Sequence, residues 1–215
     1  MNLDFHIHSS TSIDCTMKID RIIATAKRKG LDGIAITDHD KIANFDTSFK
    51  DGFALIRGEE ILTRTGEIIA LNIEKRIKPM QKMSKTITKI KDQNGTIVFP
   101  HPYNILKKGT IMDFPKLDET FALETLNGTS FFGTGNFITK LVAKRYNLAM
   151  CGNSDAHIYK HIGCAYTVLP KAKTIDGILA NLVSGKGIPT GKIVSLYLNF
   201  PSYFNMLIKP IKKYI

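Results

Sequence analysis

The segment Leu3-Asp4-Phe5-His6-Ile7-His8 is a short, largely apolar run that ends in two histidines, and it decides how the rest of the chain is interpreted. Such a run predicts a β-strand. Because His6 and His8 are two residues apart, their side chains leave the same face of that strand and can meet one metal ion. A lone pair of this kind also occurs on solvated strands, so the remaining sequence has to choose between the two interpretations.

Further apolar runs follow along the chain and predict strands, several of them buried on both faces. They are 33–36, 54–56, 68–73, 96–99, 121–126, 148–151 and 165–169. Stretches with helical spacing lie between them, and the predicted helices are 19–29, 87–94, 137–146, 175–183 and about 202–214. The alternation of strands and helices indicates an α/β fold with mainly parallel strands, and a barrel fits the number of strands.

The composition is that of one globular domain. The 215 residues, 43% of them hydrophobic, are enough to bury roughly 70% of the extended chain's surface, so we expect residues 1–215 to form a single domain. No apolar stretch approaches the about 20 residues that span a bilayer, and residues 1–6 lack the features of a secretory signal. The three cysteines are too scattered for a disulfide framework, so a cytoplasmic location is expected.

The net charge of +11 favours anionic partners by electrostatic steering. Lysines are concentrated in 75–91 and after Asp176, beyond which no acidic residue follows. Charge alone leaves two interpretations open, a solvated lysine-rich surface or a surface for nucleic acid. The stretch 200–215 is amphipathic and basic, and we expect a helix packed on the barrel at about 202–214 rather than a helix on an anionic membrane.

The residues that follow the apolar runs are rich in metal-binding groups. Catalytic groups of α/β folds lie at the carboxyl ends of strands, so these positions matter for function. Five of the six histidines fall there, and only His161 does not. The candidate metal ligands are His6, His8, Asp14, His39, Glu60, His101, Asp155 and His157.

This set holds more donors than one ion needs, so two or three divalent ions are expected as cofactors. Its mixture of imidazole nitrogen and carboxylate oxygen suits Zn, Mn or Fe better than Ca or Mg. The alternative is a group of hydrogen-bonded polar residues that close loops. We disfavour it because so many uncompensated carboxylates and imidazoles at one rim would be costly to desolvate.

Segments in this order also resemble a known family. They are Asp4-Phe5-His6-Ile7-His8-Ser9, Gly33-Ile34-Ala35-Ile36-Thr37-Asp38-His39-Asp40, Gly58-Glu59-Glu60-Ile61, Pro100-His101-Pro102 and Ser154-Asp155-Ala156-His157. Over residues 3–168 the chain resembles the PHP (polymerase and histidinol phosphatase) superfamily. The resemblance implies a distorted, seven-stranded (β/α) TIM-like barrel that hydrolyses phosphate esters at a two- or three-metal site.

The resemblance also implies how the ligands divide among three ions. The implied sets are His6, His8 and Asp155; Glu60, which bridges the first two ions, with His101; and Asp14, His39 and His157. Among these, His101, Asp155 and His157 are the implied catalytic residues.

Three details of this chain refine that assignment. Glu67 stands where the family frequently has a histidine, and its harder oxygen donor favours Mn or Fe. Asp14 lies in a segment one residue longer than the family's usual Ser-Asp-Gly, and Cys15 beside it is expected to pack rather than to bind metal. The family register places the ligand at Glu60, so Glu59 is expected to point elsewhere.

The expected mechanism is in-line attack on phosphorus by a hydroxide that bridges metal ions, with the ions stabilising charge on the oxygens. The candidates for binding the phosphate as fixed positive charges are Lys107, Lys108 and Arg64. The candidates for supporting the ligands from behind are Ser9, Asn127 and Ser154.

The expected substrate is a nucleotide or a short oligonucleotide, with RNA as a candidate partner, because bound cations would leave a still more basic exterior. Phe131 and Phe132 are candidates for stacking on a base or for closing the core. The alternatives are a histidinol-phosphatase-like phosphomonoesterase, a non-catalytic basic barrel that binds nucleic acid as a subunit, and a metal-dependent C–N hydrolase. Five histidines at one rim favour an enzyme, and the oligomeric state is not predicted.

Overall fold

The computed structural model describes residues 1–104, 107–110, 114, 117, 120–130 and 132–194, so Phe131 and the predicted helix at about 202–214 lie outside the described residues. The strands are β1 (Asn2–Ile7), β2 (Gly33–His39), β3 (Ser48–Lys50), β4 (Phe53–Thr63), β5 (Gly66–Leu71), β6 (Thr96–Phe99), β7 (Phe121–Asn127), β8 (Ala149–Asn153), β9 (Ala165–Val168) and β10 (Ile188–Gly191). The helices are α1 (Ile19–Arg28), α2 (Met83–Lys91), α3 (Thr134–Arg145) and α4 (Ile175–Asn181), which is followed by an irregular turn at Leu182–Lys186 where Gly185 has a left-handed backbone, φ 78°. Among the described residues, no helix has the length and apolar composition that a membrane span requires.

The strands form one mixed sheet that curls into a nearly closed barrel. Their order is β10-β9-β1-β2-β4-β5-β6-β7-β8, and β3 pairs with β4 beside this path. The sheet has ten strands in the described part of the chain, whereas the resemblance implies seven. The difference arises because the β9–β10 hairpin and the short β3 are added to a run of seven strands, β1, β2 and β4 to β8.

The strand directions also differ from the mainly parallel sheet that the sequence predicts. β1, β2 and β4 are parallel neighbours, as are β6, β7 and β8, but β5 is antiparallel to both β4 and β6. The cause is β4, which runs past the predicted end of its apolar run at residue 56 and continues to Thr63. A short turn at 64–65 then returns the chain directly into β5, so no crossover helix separates these two strands.

Three apolar clusters hold the barrel and its helices together. The first is inside the sheet, because it takes residues from β1, β2 and every strand from β4 to β8, and α4 packs against it through Ile178 and Leu179. The second lies outside β5 to β7 and receives α2, and the third lies outside β1 and β2 and receives α1. Helix α1 follows the predicted spacing, with Ile22 and Ala26 buried.

The barrel closes where β8 meets the β9–β10 hairpin. Gly152 N donates to Thr167 Oγ1 at 3.0 Å, and the same hydroxyl donates to Gly152 O at 2.8 Å. A Cβ atom at Gly152 would lie 2.9 Å from Tyr166 O and 3.2 Å from Pro189 Cα. Only glycine allows β8 to approach the hairpin this closely, because the obstructing atoms belong to the backbone.

We therefore predict that Gly152→Ala destabilises the fold. The added methyl group has to push two strands apart, which costs about 1–3 kcal/mol. Urea unfolding followed by circular dichroism measures the difference. A suitable control is Gly177→Ala in α4, where the nearest atoms at 3.2–3.3 Å are side-chain atoms of Thr174 and Ala172. Alanine favours a helix by about 1 kcal/mol over glycine, so this control should keep or raise stability; equal stability of wild type and Gly152→Ala would contradict the account of closure.

Candidate metal centre

Glu60 lies at the centre of a buried cluster of imidazoles at the barrel rim. Its Oε2 atom is 3.0 Å from His39 Nδ1, 3.3 Å from His6 Nε2 and 3.4 Å from His8 Nε2. Its Oε1 atom is 3.2 Å from His101 Nε2. Four histidines from three separate stretches of the chain therefore converge on one carboxylate, as the strand-end positions predict.

Glu59 takes no part in this cluster. Successive residues of β4 point to opposite sides of the sheet, so Glu59 and Glu60 diverge. Glu59 is buried elsewhere, and its Oε2 atom accepts from Ile77 N at 2.9 Å. Burial raises the pKa of Glu59 to about 7.

Asp155 lies in the loop after β8, and its two carboxylate oxygens contact different groups of the cluster. Its Oδ1 atom is 3.3 Å from His8 Nε2 and 3.6 Å from both His6 Nε2 and His157 Nδ1. Its Oδ2 atom accepts from Asn127 Nδ2 at 3.0 Å and is paired with the Lys107 ammonium. Asp155 has a left-handed backbone, φ 53°, and therefore does not continue the strand that the D-x-H spacing suggests.

Asp14 bridges two further histidines at the open side of the cluster. Its Oδ2 atom is 3.3 Å from His39 Nε2 and 3.3 Å from His157 Nε2. The longer loop thus still brings Asp14 to the site. Cys15 turns the other way, and its Sγ donates to His8 O at 3.3 Å. Burial raises the pKa of this thiol to about 12, which fits a packing role.

Glu67 lies at the edge of the cluster, at the start of β5. Its Oε2 atom is 3.9 Å from His101 Nε2, and Lys108 Nζ is 3.9 Å from its Oε1 atom. Burial and the nearby charge of Glu60 raise the pKa of Glu67 to about 7. The site therefore keeps a carboxyl group where the family frequently has an imidazole.

Glu124 was not predicted from the sequence, although it organises the back of the site. It is buried in the middle of β7, where its Oε1 atom is 3.0 Å from His6 Nδ1 and accepts from Asn153 Nδ2 at 2.9 Å. Its Oε2 atom accepts from His101 N at 2.9 Å and from Asn127 Nδ2 at 2.8 Å. The available signal was an acidic residue inside an otherwise apolar predicted strand.

Two more buried carboxylates fix the loops that carry ligands. Asp38 accepts from Ser9 N and from Ser9 Oγ, each at 2.6 Å, and from Ser12 N at 3.2 Å. The Ser12 hydroxyl is in turn 3.3 Å from His8 Nδ1. Asp4 accepts from Ser154 N at 3.0 Å, so Ser154 is held through its backbone, whereas Asn127 acts through its side chain.

The pKa values of the carboxylates and imidazoles in the cluster depend strongly on one another's charges. Burial favours neutral groups, but the charges of His6 and His39 outweigh it and hold the pKa of Glu60 well below its usual range. Burial likewise opposes charge on His6, yet Asp155 and Glu60 hold its pKa well above the ordinary value. Each charge is therefore stabilised only by an opposite charge a few ångströms away.

His8 shows what happens where positive neighbours dominate. Burial, together with His157 and His39, lowers the pKa of His8 to about 3. The His8 and His157 rings stack with centroids 4.1 Å apart. A neutral His8 presents nitrogen lone pairs, which is the form that binds a metal ion.

The donor set fits divalent metal ions. Glu60 Oε2 and Asp14 Oδ1 are buried without a hydrogen-bond partner. Ligand atoms within 4.8 Å of one another occur in the sets His8, His39 and His157; His6, His8 and Glu60; His6, His101 and Glu124; and His39, Glu60 and Glu67. Nitrogen and oxygen donors in such compact groups are typical of Zn, Mn or Fe sites.

The three candidates for phosphate binding are placed differently. Lys107 Nζ pairs with Asp155 and donates to Thr129 Oγ1 at 2.7 Å, so it lies at the cluster. Lys108 lies near Glu67 and is 58% exposed. Arg64 lies in the turn between β4 and β5, where its Nε atom donates to Met80 O at 3.2 Å.

Comparison with known proteins finds a family that matches part of this chain and proteins with similar sequences. The family described as PHP-associated matches residues 133–186. The uncharacterized protein MJ0417 of Methanocaldococcus jannaschii is 28% identical over 172 residues, which are 77% of this chain and 69% of that protein. The uncharacterized protein MJ1587 of the same organism is 34% identical over 122 residues, which are 50% of this chain and 71% of that protein.

Two solved structures have a similar fold. One is a two-domain protein of Bacteroides vulgatus containing a predicted PHP-like metal-dependent phosphoesterase, with a TM-score of 0.68 and 21% identity. The match covers 89% of this chain and 65% of that one, so this chain spans about two thirds of its length. The other is PsfC from Pseudomonas syringae, with a TM-score of 0.69, 16% identity and coverage of 97% and 98%.

His161, the one histidine outside the strand-end positions, gives a prediction about acid stability. It is buried, its Nε2 atom has no hydrogen-bond partner, and burial together with the charge of Lys29 lowers its pKa to about 4. The unfolded chain takes up this proton first, so His161 stabilises the fold above pH 6.5, and this contribution is lost as the pH falls towards 4.

We expect His161→Leu to lose less stability than wild type between pH 6.5 and 4, by a difference on the order of 3 kcal/mol. Urea unfolding at several pH values measures it. Lys171→Gln, which removes an exposed lysine beyond β9, is the control and should keep the wild-type dependence. Parallel pH profiles for wild type and His161→Leu would show that His161 is not the group that titrates.

Proposed function

We propose a metal-dependent phosphoesterase activity for this chain, which belongs to the PHP (polymerase and histidinol phosphatase) superfamily. The observation that carries the proposal is Glu60 Oε2, a buried oxygen without a hydrogen-bond donor and within 3.4 Å of three imidazole nitrogens. Such an oxygen needs positive charge beside it, and divalent cations between the ligand atoms would supply that charge. We treat residues 1–215 as one phosphoesterase domain.

The proposed ligand sets follow the distances. They are His6, His8, Asp155 and Glu60; Glu60, His101 and Glu67; and Asp14, His39 and His157. Bound Zn, Mn or Fe would activate water and offset charge on the phosphate oxygens. The proposed catalytic role of His101, Asp155 and His157 is to hold these ions at the reacting phosphate.

The chain's other residues position the ligands and the substrate. Glu124 fixes His6 through its Nδ1 atom, so the opposite nitrogen, Nε2, faces the site. Asn127 holds Asp155 from the side away from the histidines. Lys107 and Lys108 are the proposed phosphate contacts, because both ammonium groups lie beside candidate ligands.

The proposed substrate is a nucleotide or a short oligonucleotide. The chain carries a net charge of +11 even though the candidate ligands include four carboxylates, so its remaining surface is strongly basic. Long-range attraction of this kind favours substrates with several phosphates. The apolar side chain of Ile13, 61% exposed beside Asp14, offers a surface for a base near the metal centre.

The decisive experiment compares two adjacent glutamates. Glu60→Gln should lose at least about a hundredfold in hydrolysis of a chromogenic phosphate ester and should bind less metal per chain, because it removes the shared carboxylate. Glu59→Gln is the matched control and should retain both, since Glu59 contacts Ile77 instead. Circular dichroism checks that both variants fold. Wild-type activity of Glu60→Gln in added Mn or Zn would refute the proposal.

A panel of substrates, assayed with the metal-loaded protein, distinguishes the proposed function from its alternatives. The proposed preference is supported if 3′,5′-bisphosphonucleotides or short RNA are hydrolysed faster than histidinol phosphate. Faster hydrolysis of histidinol phosphate would identify a phosphomonoesterase, and cleavage of amides alone would identify a C–N hydrolase. RNA binding without bound metal or turnover would identify a non-catalytic subunit.

Lys107 gives a prediction that separates substrate binding from metal binding. Lys107→Met should raise the KM for a phosphate ester by about tenfold, because a positive charge beside the site is lost. Affinity for Mn²⁺, measured by calorimetry, should stay equal or increase, since Asn127 still holds Asp155 and a competing cation is gone.

Lys108→Met is the comparison variant, and its smaller expected effect follows from its greater exposure and its 3.9 Å distance from Glu67. Loss of Mn²⁺ binding in Lys107→Met would show instead that Lys107 supports Asp155 as a structural element.

A further inference from the structure

A strip of basic side chains lies beside the strand that carries Glu60. The members of this basic strip are exposed, and they are Arg64, Arg76, Lys78, Lys82 and Lys85. Residues 74–91, which include four of them, contain seven lysines and arginines against one glutamate, a net charge of +6 within the chain's +11. The proposed metal centre uses none of these side chains, so the basic strip needs an explanation of its own.

Backbone hydrogen bonds hold the basic strip against the end of β4. Met80 N donates to Leu62 O at 2.7 Å, and Arg64 N donates to Gln81 O at 3.0 Å. The Nε atom of Arg64 also donates to Met80 O at 3.2 Å. This part of the basic strip therefore follows the last residues of β4 and ends at the rim of the barrel.

A further contact ties the basic strip to the end of β2. Arg76 Nε donates to Asp40 O at 2.6 Å, and Asp40 N donates to Glu60 O at 2.9 Å. Asp40 directly follows the candidate ligand His39. The basic strip therefore begins next to two of the side chains that form the metal centre.

The far end of the basic strip lies well away from the candidate ligands. Glu60 and Arg64 are four residues apart along an extended segment, which corresponds to about 13 Å. Lys82 follows Gln81, the residue that Arg64 contacts, and Lys85 lies one helical turn beyond it. A phosphate at this end is therefore a different phosphate from one at the metal ions.

The fold itself does little to neutralise the basic strip. In the described part of the chain, its only ion pair joins Arg76 to Glu59, with Nε 3.9 Å from Oε1. Lys82 and Lys85 lie at the beginning of α2, whose first turn contains no acidic residue. Cations at that end of a helix are repelled by its dipole, so these lysines do not serve the stability of α2. Negative charge from a ligand would offset the repulsion.

The composition of the basic strip favours a chain of phosphates as that ligand. Residues 74–91 contain no aromatic side chain on which a base could stack. Met80, 57% exposed, is their one large apolar side chain in contact with solvent, whereas a membrane-binding surface needs a broad apolar face. Lysines and arginines in a row match the regularly spaced charges of a nucleic-acid backbone.

We propose that the basic strip binds the backbone phosphates of a single-stranded oligonucleotide whose end lies at the metal ions. The inference rests on the proposed phosphoesterase function and deepens it, because the substrate then consists of several linked nucleotides. Contacts to phosphates carry no sequence information, so binding should depend on salt rather than on base sequence.

The test compares two triple variants of the full chain that lose the same charge. The strip variant carries Lys78→Gln, Lys82→Gln and Lys85→Gln. The α3 variant is the matched control and removes three exposed charges elsewhere, with Lys140→Gln, Lys144→Gln and Arg145→Gln. Fluorescence anisotropy of the metal-loaded proteins measures the binding of a labelled phosphorothioate oligonucleotide of about 12 nucleotides, a length within the range that single-strand binding sites cover.

The strip variant should bind this oligonucleotide at least about tenfold more weakly than wild type at low salt. Its slope of log K against log salt should be smaller by about 2, because each lost phosphate contact of a single strand contributes about 0.7. The α3 variant should stay within about twofold of wild type, because only long-range attraction changes.

Equal weakening in the two variants would show that only net charge matters and would overturn the proposal. Unchanged oligonucleotide binding by the strip variant, together with lost binding to anionic phospholipid vesicles, would assign the basic strip to a membrane and would also overturn it. Failure of the proposed function is a separate result. Absence of phosphate ester hydrolysis by the wild type would reject that function, whereas weaker oligonucleotide binding by the strip variant alone would still support the basic strip.

Discussion

The constraint on which the rest of the structure depends is the gathering of charge around Glu60. Carboxylates and imidazoles are costly to bury unless each meets an opposite charge at short range. Here His6 carries a raised pKa because carboxylates surround it, whereas His8, less than 4 Å away at its Nε2 atom, has a pKa lowered to about 3. Within one cluster the pKa values of neighbouring imidazoles are thus shifted in opposite directions, and divalent cations would relieve this conflict for all of them.

Rigidity around that cluster comes from carboxylates that do not face it. Glu124 connects β1, β7, β8 and the segment after β6 through His6, His101 N and the side-chain amides of Asn127 and Asn153. Ligand positions therefore depend on a hydrogen-bond network that crosses several strands. This arrangement explains why polar residues can fill the inner face of α3: the helix completes the network through Asn136, and its apolar residues are displaced to the outside.

Features that depend on local pattern and on the ends of strands could be predicted from the sequence. Features that depend on pairing between strands could not. His6, His39 and His101 converge because parallel strands β1, β2 and β6 bring their carboxyl ends to one rim. Glu124 was not predicted because the strand-end rule considers only residues that follow a strand. Its role follows from hydrogen bonds to residues of neighbouring strands, which the local sequence does not reveal. The length of β4 was missed for the same reason, since its polar residues are stabilised by pairing with β5 rather than by their own apolar pattern.

The direction of β5 has a consequence for the chemistry of the rim. In a barrel of parallel strands, the first residue of a strand lies at the rim opposite the catalytic end, about 20 Å away for a strand of six residues. β5 is antiparallel to β4 and begins where β4 ends, with Glu67 opposite Leu62. A carboxyl group at the start of a strand therefore reaches the same rim as Glu60 near the end of the preceding one. The strand-end rule would have excluded Glu67, and its place in the cluster follows from a two-residue turn that reverses the chain.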